Sequence, residues 1–259
     1  MGHLRLRNIP RTVKWDHVVS LVKEGADAPE IAAATLDAAQ QGLQSAAQDR
    51  ALVYSVYLLL QIPLAAHEDD FAEALGRVGI RVSESPDVME LAAAFTRAVD
   101  ERLYRTGGRT DLGELAQIAA TETIVEMPAQ EMPTLFGGTP RDARSVFRGV
   151  LSGRKIGRLS RLFFSRLTRR FLSSYLSCVL PSHVGTGSRF GSTRDHSDFR
   201  RAFDRHCFET SYVVEEFAKD WFWKTHQEEG ITPRSTARFV YEAVEKLRKE
   251  LVLRERGDE

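Results

Sequence analysis

Three things are scarce in this chain of 259 residues. The first is cysteine, present only as Cys178 and Cys207. Two thiols build neither a disulfide framework nor a four-thiolate zinc site, and a reducing compartment is the simple reading. The second is a long apolar run. Ala51 to Leu60, followed by Gln61, Ile62 and Pro63, is the most apolar stretch. It is about half of the roughly 20 residues that a membrane span requires, so it reads as a fully buried core helix. The third is net charge: 36 basic side chains face 36 acidic ones. That balance excludes a uniformly basic nucleic-acid binder.

Signals and motifs are scarce as well. The opening residues, MGHLRLRNIPRTVKWDH, are charged but have no apolar core of a secretory signal. Leu6 stands where a myristoylation motif needs Ser or Thr, so a cytoplasmic chain is expected. There is no HExxH, no CxxC, no Walker A loop and no dinucleotide fingerprint, and no cofactor or metal is expected. Fixed-period repeats are missing too, which leaves a helical solenoid unsupported.

What is present starts with an ordinary globular composition, 42% hydrophobic and 28% charged. Helix signals recur. Asp27 with Glu30 and Asp111 with Glu114 have capping-box spacing. Ser85-Pro86, Thr139-Pro140 and Thr232-Pro233 each place a cap before a proline. Glycines or prolines follow as stops at Gly25, Gly107-Gly108, Gly137-Gly138, Pro181 and Gly230. Apolar residues between these signals keep a helical period, as in Trp15, Val18, Val19 and Val22, or Phe239, Val240, Ala243, Val244 and Leu247. The spacing predicts helices over 11–24, 28–47, 49–66, 68–77, 86–106, 111–126, 140–152, 155–180, 197–228 and 233–255. Val78 to Val82 is the one candidate strand, and it also reads as a loop. The fold class is therefore all-α, a bundle of about ten helices.

The balanced charge is segregated along the chain. Residues 1–140 hold 12 Lys and Arg against 20 Asp and Glu, residues 141–205 hold 15 against 4, and residues 206–259 hold 9 against 12. The differences are −8, +11 and −3. The sign changes near Met127 to Pro140, a stretch rich in proline and glycine. An acidic N-terminal lobe over 1–136 and a basic, aromatic-rich C-terminal lobe over 137–259 are expected.

The positive charge concentrates in Arg154 to Leu180. At about 100° per residue, Phe163, Phe164, Leu167, Phe171 and Tyr175 share one arc of that helix. Arg154, Lys155, Arg158, Arg161, Arg166, Arg169 and Arg170 take the other side. From Arg141 to His183 the only acid is Asp142, so pairing within the helix is nearly unavailable. Such a face can dock an acidic protein surface, including this chain's own N-terminal part, or neutralise nucleic-acid phosphates. A membrane surface ranks last, because the aromatic arc is needed for a core. The bland alternative is a solvated face.

Two further stretches carry polar chemistry. Val184 to Thr193 has a G-x-G-x-x-x-G spacing that fits no phosphate loop; it reads as a flexible connector whose Arg189 could reach a phosphate or carboxylate. Arg194 to Thr210 gathers His196, His206, Cys207 and Glu209. His206 and Glu209 have the i,i+3 spacing of a helical ligand pair, whereas His206 and Cys207 point about 100° apart. The bland reading is a polar helix start. Cys178 reads as an inert core thiol. Trp221 and Trp223 cannot face one way, which places one of them at a surface or interface. Three function classes follow: a non-enzymatic interaction component docking a protein through the arginine helix, a nucleic-acid module using the same face, and an enzyme centred on the His196–Glu209 cluster.

Overall fold

The structure, a computed structural model, describes residues 12–39, 48–107, 110–131 and 142–255. These residues form helices and no strand, so the chain is an all-α bundle. In chain order the helices are α1 (Val13–Glu24), α2 (Ala28–Ala38), α3 (Arg50–Ala65), α4 (Phe71–Arg77) and α5 (Val88–Thr106). Then follow α6 (Asp111–Glu131), α7 (Ala143–Arg148), α8 (Gly153–Leu176), α9 (Thr193–Thr210), α10 (Tyr212–Glu228) and α11 (Pro233–Glu255).

The starts of these helices follow side-chain chemistry. Thr12 caps α1 by accepting from Trp15 N at 3.3 Å, and Asp27 caps α2 by accepting from Glu30 N at 3.0 Å. Thr232 Oγ1 accepts from Ser235 N at 3.1 Å and opens α11 as its sequence suggests. Elsewhere the cap is displaced. Asp87 rather than Ser85 accepts from Glu90 N at 2.7 Å, and Thr110 rather than Asp111 accepts from Gly113 N at 2.9 Å. The Thr139-Pro140 start and the second half of the helix expected over 28–47 lie outside the described residues. Val78 to Val82 is turn and loop, not strand.

The long helix expected over 197–228 is two helices. Ser211 Oγ donates to Cys207 O at 2.7 Å and Thr210 Oγ1 to His206 O at 2.9 Å. Two adjacent hydroxyls engage the carbonyls of the preceding turn, and such back-bonding bends a helix. The first half also begins earlier than expected, because Ser192 accepts from Asp195 N at 3.2 Å and its hydroxyl donates to the Asp195 carboxylate at 2.9 Å.

Five of the helices close a ring. α3 packs on α6, α6 on α8, α8 on α10, α10 on α11, and α11 returns to α3. Leu58, Leu59 and Leu60 of α3, Phe163, Phe164 and Phe171 of α8, Phe222 of α10 and Phe239 of α11 are fully buried in one continuous core. α1 and α2 pair with each other, and α2 lies against α8, α9 and α11. The helices approach closely at two glycines. A Cβ on Gly113 would overlap the Ala51 side chain, and one on Gly157 would overlap the Glu215 carbonyl oxygen. Glycine is used there because it lets two backbones nearly touch.

The boundary expected near residue 136 lies outside the described residues. Packing joins what stands on either side of it. Gln61 Nε2 donates to Ile231 O at 3.0 Å, and His67 Nε2 lies 2.8 Å from Arg148 O. Arg144 donates to Glu68 O at 2.6 Å and to Asp69 O at 3.2 Å, which ties α7 to the chain leaving α3.

Candidate functional site

α8 carries the arginines, and its neighbours decide what they can do. Arg166 is buried, with its residue 9% exposed. Its guanidinium donates to Thr123 Oγ1 and to Leu162 O, both at 3.2 Å, and pairs with Glu126. Arg170 grips the Glu122 carboxylate with two nitrogens, Nε at 3.3 Å and NH2 on the other oxygen. That is the bidentate fork for which guanidinium is shaped. Arg169 lies between Glu122, at 3.8 Å, and Asp204 of α9, at 3.4 Å. With Arg166 Nε at 3.9 Å, three guanidiniums surround Glu122.

Arg161 is held differently. Its Nε donates to Phe208 O at 3.1 Å and its NH1 to Glu215 at 3.0 Å. Its guanidinium carbon lies 4.0 Å from the Phe208 ring centre and 5.2 Å from that of Tyr212. A cation between two rings, with both hydrogen-bonding edges used, fastens α8 to the bend between α9 and α10. Arg154 and Arg158 are exposed at the start of α8, and Lys155 is half-buried there. The middle of the helix is answered by carboxylates of α6, α9 and α10.

Arg189, expected as a mobile contact in a glycine loop, is built into the fold. It donates to Leu21 O at 3.3 Å and Val22 O at 3.1 Å, in the last turn of α1, and to Ala26 O in the turn that leads to α2. Its guanidinium lies 4.9 Å from the Phe190 ring centre and 4.8 Å from that of Phe199. Burial holds its pKa below the ordinary arginine value, while Asp27 opposes the shift.

Beside the paired arginines runs an open groove of about 810 Å³ between α6, α8 and α9. Val125 of α6 and Phe208 of α9 line it, and they are 39% and 41% exposed. Glu122, Glu126, Arg169 and Asp204 supply the charges of its wall. The groove thus combines two partly exposed apolar side chains with a fixed array of both signs.

The polar cluster of α9 does not converge. His206 and Cys207 are buried, Glu209 is exposed, and His196 is half-buried with its ring 5.3 Å from that of Phe190. No group of three metal-ligating side chains forms among the described residues. Burial, reinforced by Asp204, pushes the Cys207 thiol far above its ordinary pKa, so the thiolate needed by a nucleophile or ligand is not available. Cys178 corrects the expectation in the other sense. α8 ends at Leu176, the chain turns, and this thiol is exposed rather than sealed in the core.

Sequence reasoning singled out neither Glu122 nor Glu126. Their signal was present: they are the only acids between Glu114 and Glu131, and i,i+4 spacing puts both on one face of the helix. Trp221 and Trp223 are both half-buried; Trp221 stacks on Phe239 with centroids 4.3 Å apart, and Trp223 meets Phe222 edge-on. No helix among the described residues is long and apolar enough to cross a membrane.

The fold and the groove define a helical bundle with a charged surface cleft. No known family model, curated protein or solved structure matches the chain.

Proposed function

We propose that this protein is a non-enzymatic interaction component of a larger assembly, which docks a protein partner along its arginine helix. The observation that carries the reading is the α6–α8–α9 groove, where Val125 and Phe208 remain partly exposed beside a wall of fixed charges. Apolar anchors within a charged rim suit protein recognition: burial supplies affinity, and the charge array sets register and partner choice. The scattered His196, His206, Cys207 and Glu209 supply no competing catalytic arrangement. The test is native affinity purification of the wild type and of Val125→Arg, with nuclease treatment in parallel. The account expects partner proteins that survive nuclease and are lost from Val125→Arg while its helical content is unchanged. Identical partners on both proteins would refute docking at this groove.

A second reading, a nucleic-acid module, rests on Arg154 and Arg158, which are exposed in the first turns of α8. It has lost most of its original basis, because Arg161, Arg166, Arg169 and Arg170 pair with carboxylates. It predicts salt-sensitive binding to generic DNA or RNA that Arg154→Ala with Arg158→Ala abolishes. No binding at low salt removes it.

A further inference from the structure

A second groove, of about 800 Å³, lies on another side of the bundle between α10 and α11. Its floor is aromatic. Phe217 and Trp221 are half-buried there, both stacked on the buried ring of Phe239, and Tyr212 is exposed at the edge. Phe239 supports both rings from beneath, and Lys246 lies over Phe217, which leaves Trp221 as the ring turned to the groove.

The charges around this floor are unequal. Glu216, Asp220, Glu242 and Glu250 line it against Lys224 and Lys246. Glu216 is answered by Lys219 at 3.8 Å and by the Tyr212 hydroxyl at 3.3 Å, so the cation-attracting carboxylates are Asp220 and Glu242. Asp220 and Glu242 are exposed on the two opposing helices. The basic residue at the floor shows what such a surface attracts: Lys246 Nζ lies 5.2 Å from the Phe217 ring centre. Aromatic faces carry negative potential and draw cations, and carboxylates at the rim add to that field.

We infer that the α10–α11 groove receives a cationic segment, bearing arginine or lysine side chains, from a partner protein. A guanidinium or ammonium group lies over Trp221, beside the Lys246–Phe217 pair, and its charge is met by Asp220 and Glu242 across the groove. The space suits a few side chains of a peptide segment rather than an enclosed metabolite. This surface is separate from the α6–α8–α9 groove and is built from none of the same residues, so either can fail without the other.

The test uses the whole chain and a fluorescent oligoarginine peptide, with oligoglutamate as the opposite-charge control. Binding is read by anisotropy and by the change in tryptophan fluorescence. Oligoarginine is expected to bind and oligoglutamate not. Asp220→Arg with Glu242→Arg should weaken binding by about tenfold or more. Glu84→Arg, an exposed reversal on the far acidic part, should leave it unchanged. Absence of oligoarginine binding overturns the inference, as does equal binding to the double variant. So does an equal loss in Glu84→Arg, which would mark generic charge attraction. Sedimentation supplies the remaining arm. A wild-type oligomer that dissociates in Glu242→Arg would assign the groove to a second copy of this chain, and would overturn the foreign partner.

Discussion

The two grooves are nearly equal in size and opposite in electrostatic completeness. In the α6–α8–α9 groove, Arg166, Arg169 and Arg170 each meet a carboxylate from another helix. In the α10–α11 groove, the lining acids outnumber the lining bases beside an aromatic floor of Phe217 and Trp221. The first is a joint of the fold that also presents a surface. The second keeps two exposed carboxylates, Asp220 and Glu242, on its opposing helices. A positive sequence segment can thus be spent inside the molecule, while an unremarkable mixed-charge stretch leaves the unbalanced surface.

The strongest way to break this comparison is at the contact between α8 and α10, which border different grooves. Gly157→Val puts a branched side chain against the Glu215 carbonyl. It should destabilise the protein by about 3 kcal/mol, at the upper end of overpacking effects, as read by urea unfolding. A loss below about 0.5 kcal/mol, the size of an ordinary surface change, would mean that the helices do not approach there.

Next is the buried arginine. Arg166→Ala strips partners from Glu126 and Thr123, and about 2 kcal/mol should be lost; the half-exposed Glu126 can recover water, which keeps the figure below that of a fully buried pair. Asp220→Arg and Glu242→Arg, in contrast, should each change stability by no more than about 0.5 kcal/mol, because both residues are exposed. A large loss in the second groove and none in the first would invert the comparison.

Thiol labelling carries no energy term and sharpens the comparison chemically. Native protein should take up one equivalent of alkylating reagent, at Cys178, and a second only when unfolded. Burial raises the Cys207 pKa, so raising the pH leaves Cys207 protonated and silent. Native labelling of Cys207 would restore a reactive group beside the first groove.

Much of this architecture was legible in the sequence because it rests on local signals. The helical period, the caps at Asp27 and Thr232, and the aromatic inner face of the arginine helix depend on residues within a few turns. The break at Ser211 was missed because two hydroxyls bonding backwards leave the apolar period intact. The segregation of charge was legible as well, but its resolution was not. Glu122 and Arg170 are 48 positions apart, and only the α6–α8 packing brings their side chains together. Arg189 was misjudged for the same reason, since the carbonyls that it caps lie more than 160 residues away. Exposure of Cys178 and burial of Cys207 turn on where a helix stops, a boundary that composition does not mark.

The central claim is that the basic helix is answered from within the chain, with Glu122 as the hub. A double-mutant cycle between Glu122→Gln and Arg170→Gln, followed by urea unfolding, tests it most directly. Both side chains are partly exposed, so solvent moderates the expected coupling to about 1 kcal/mol. Additive effects, with no coupling beyond experimental error, would show that the arginines are not held by the acidic part of the chain, and the account would fail.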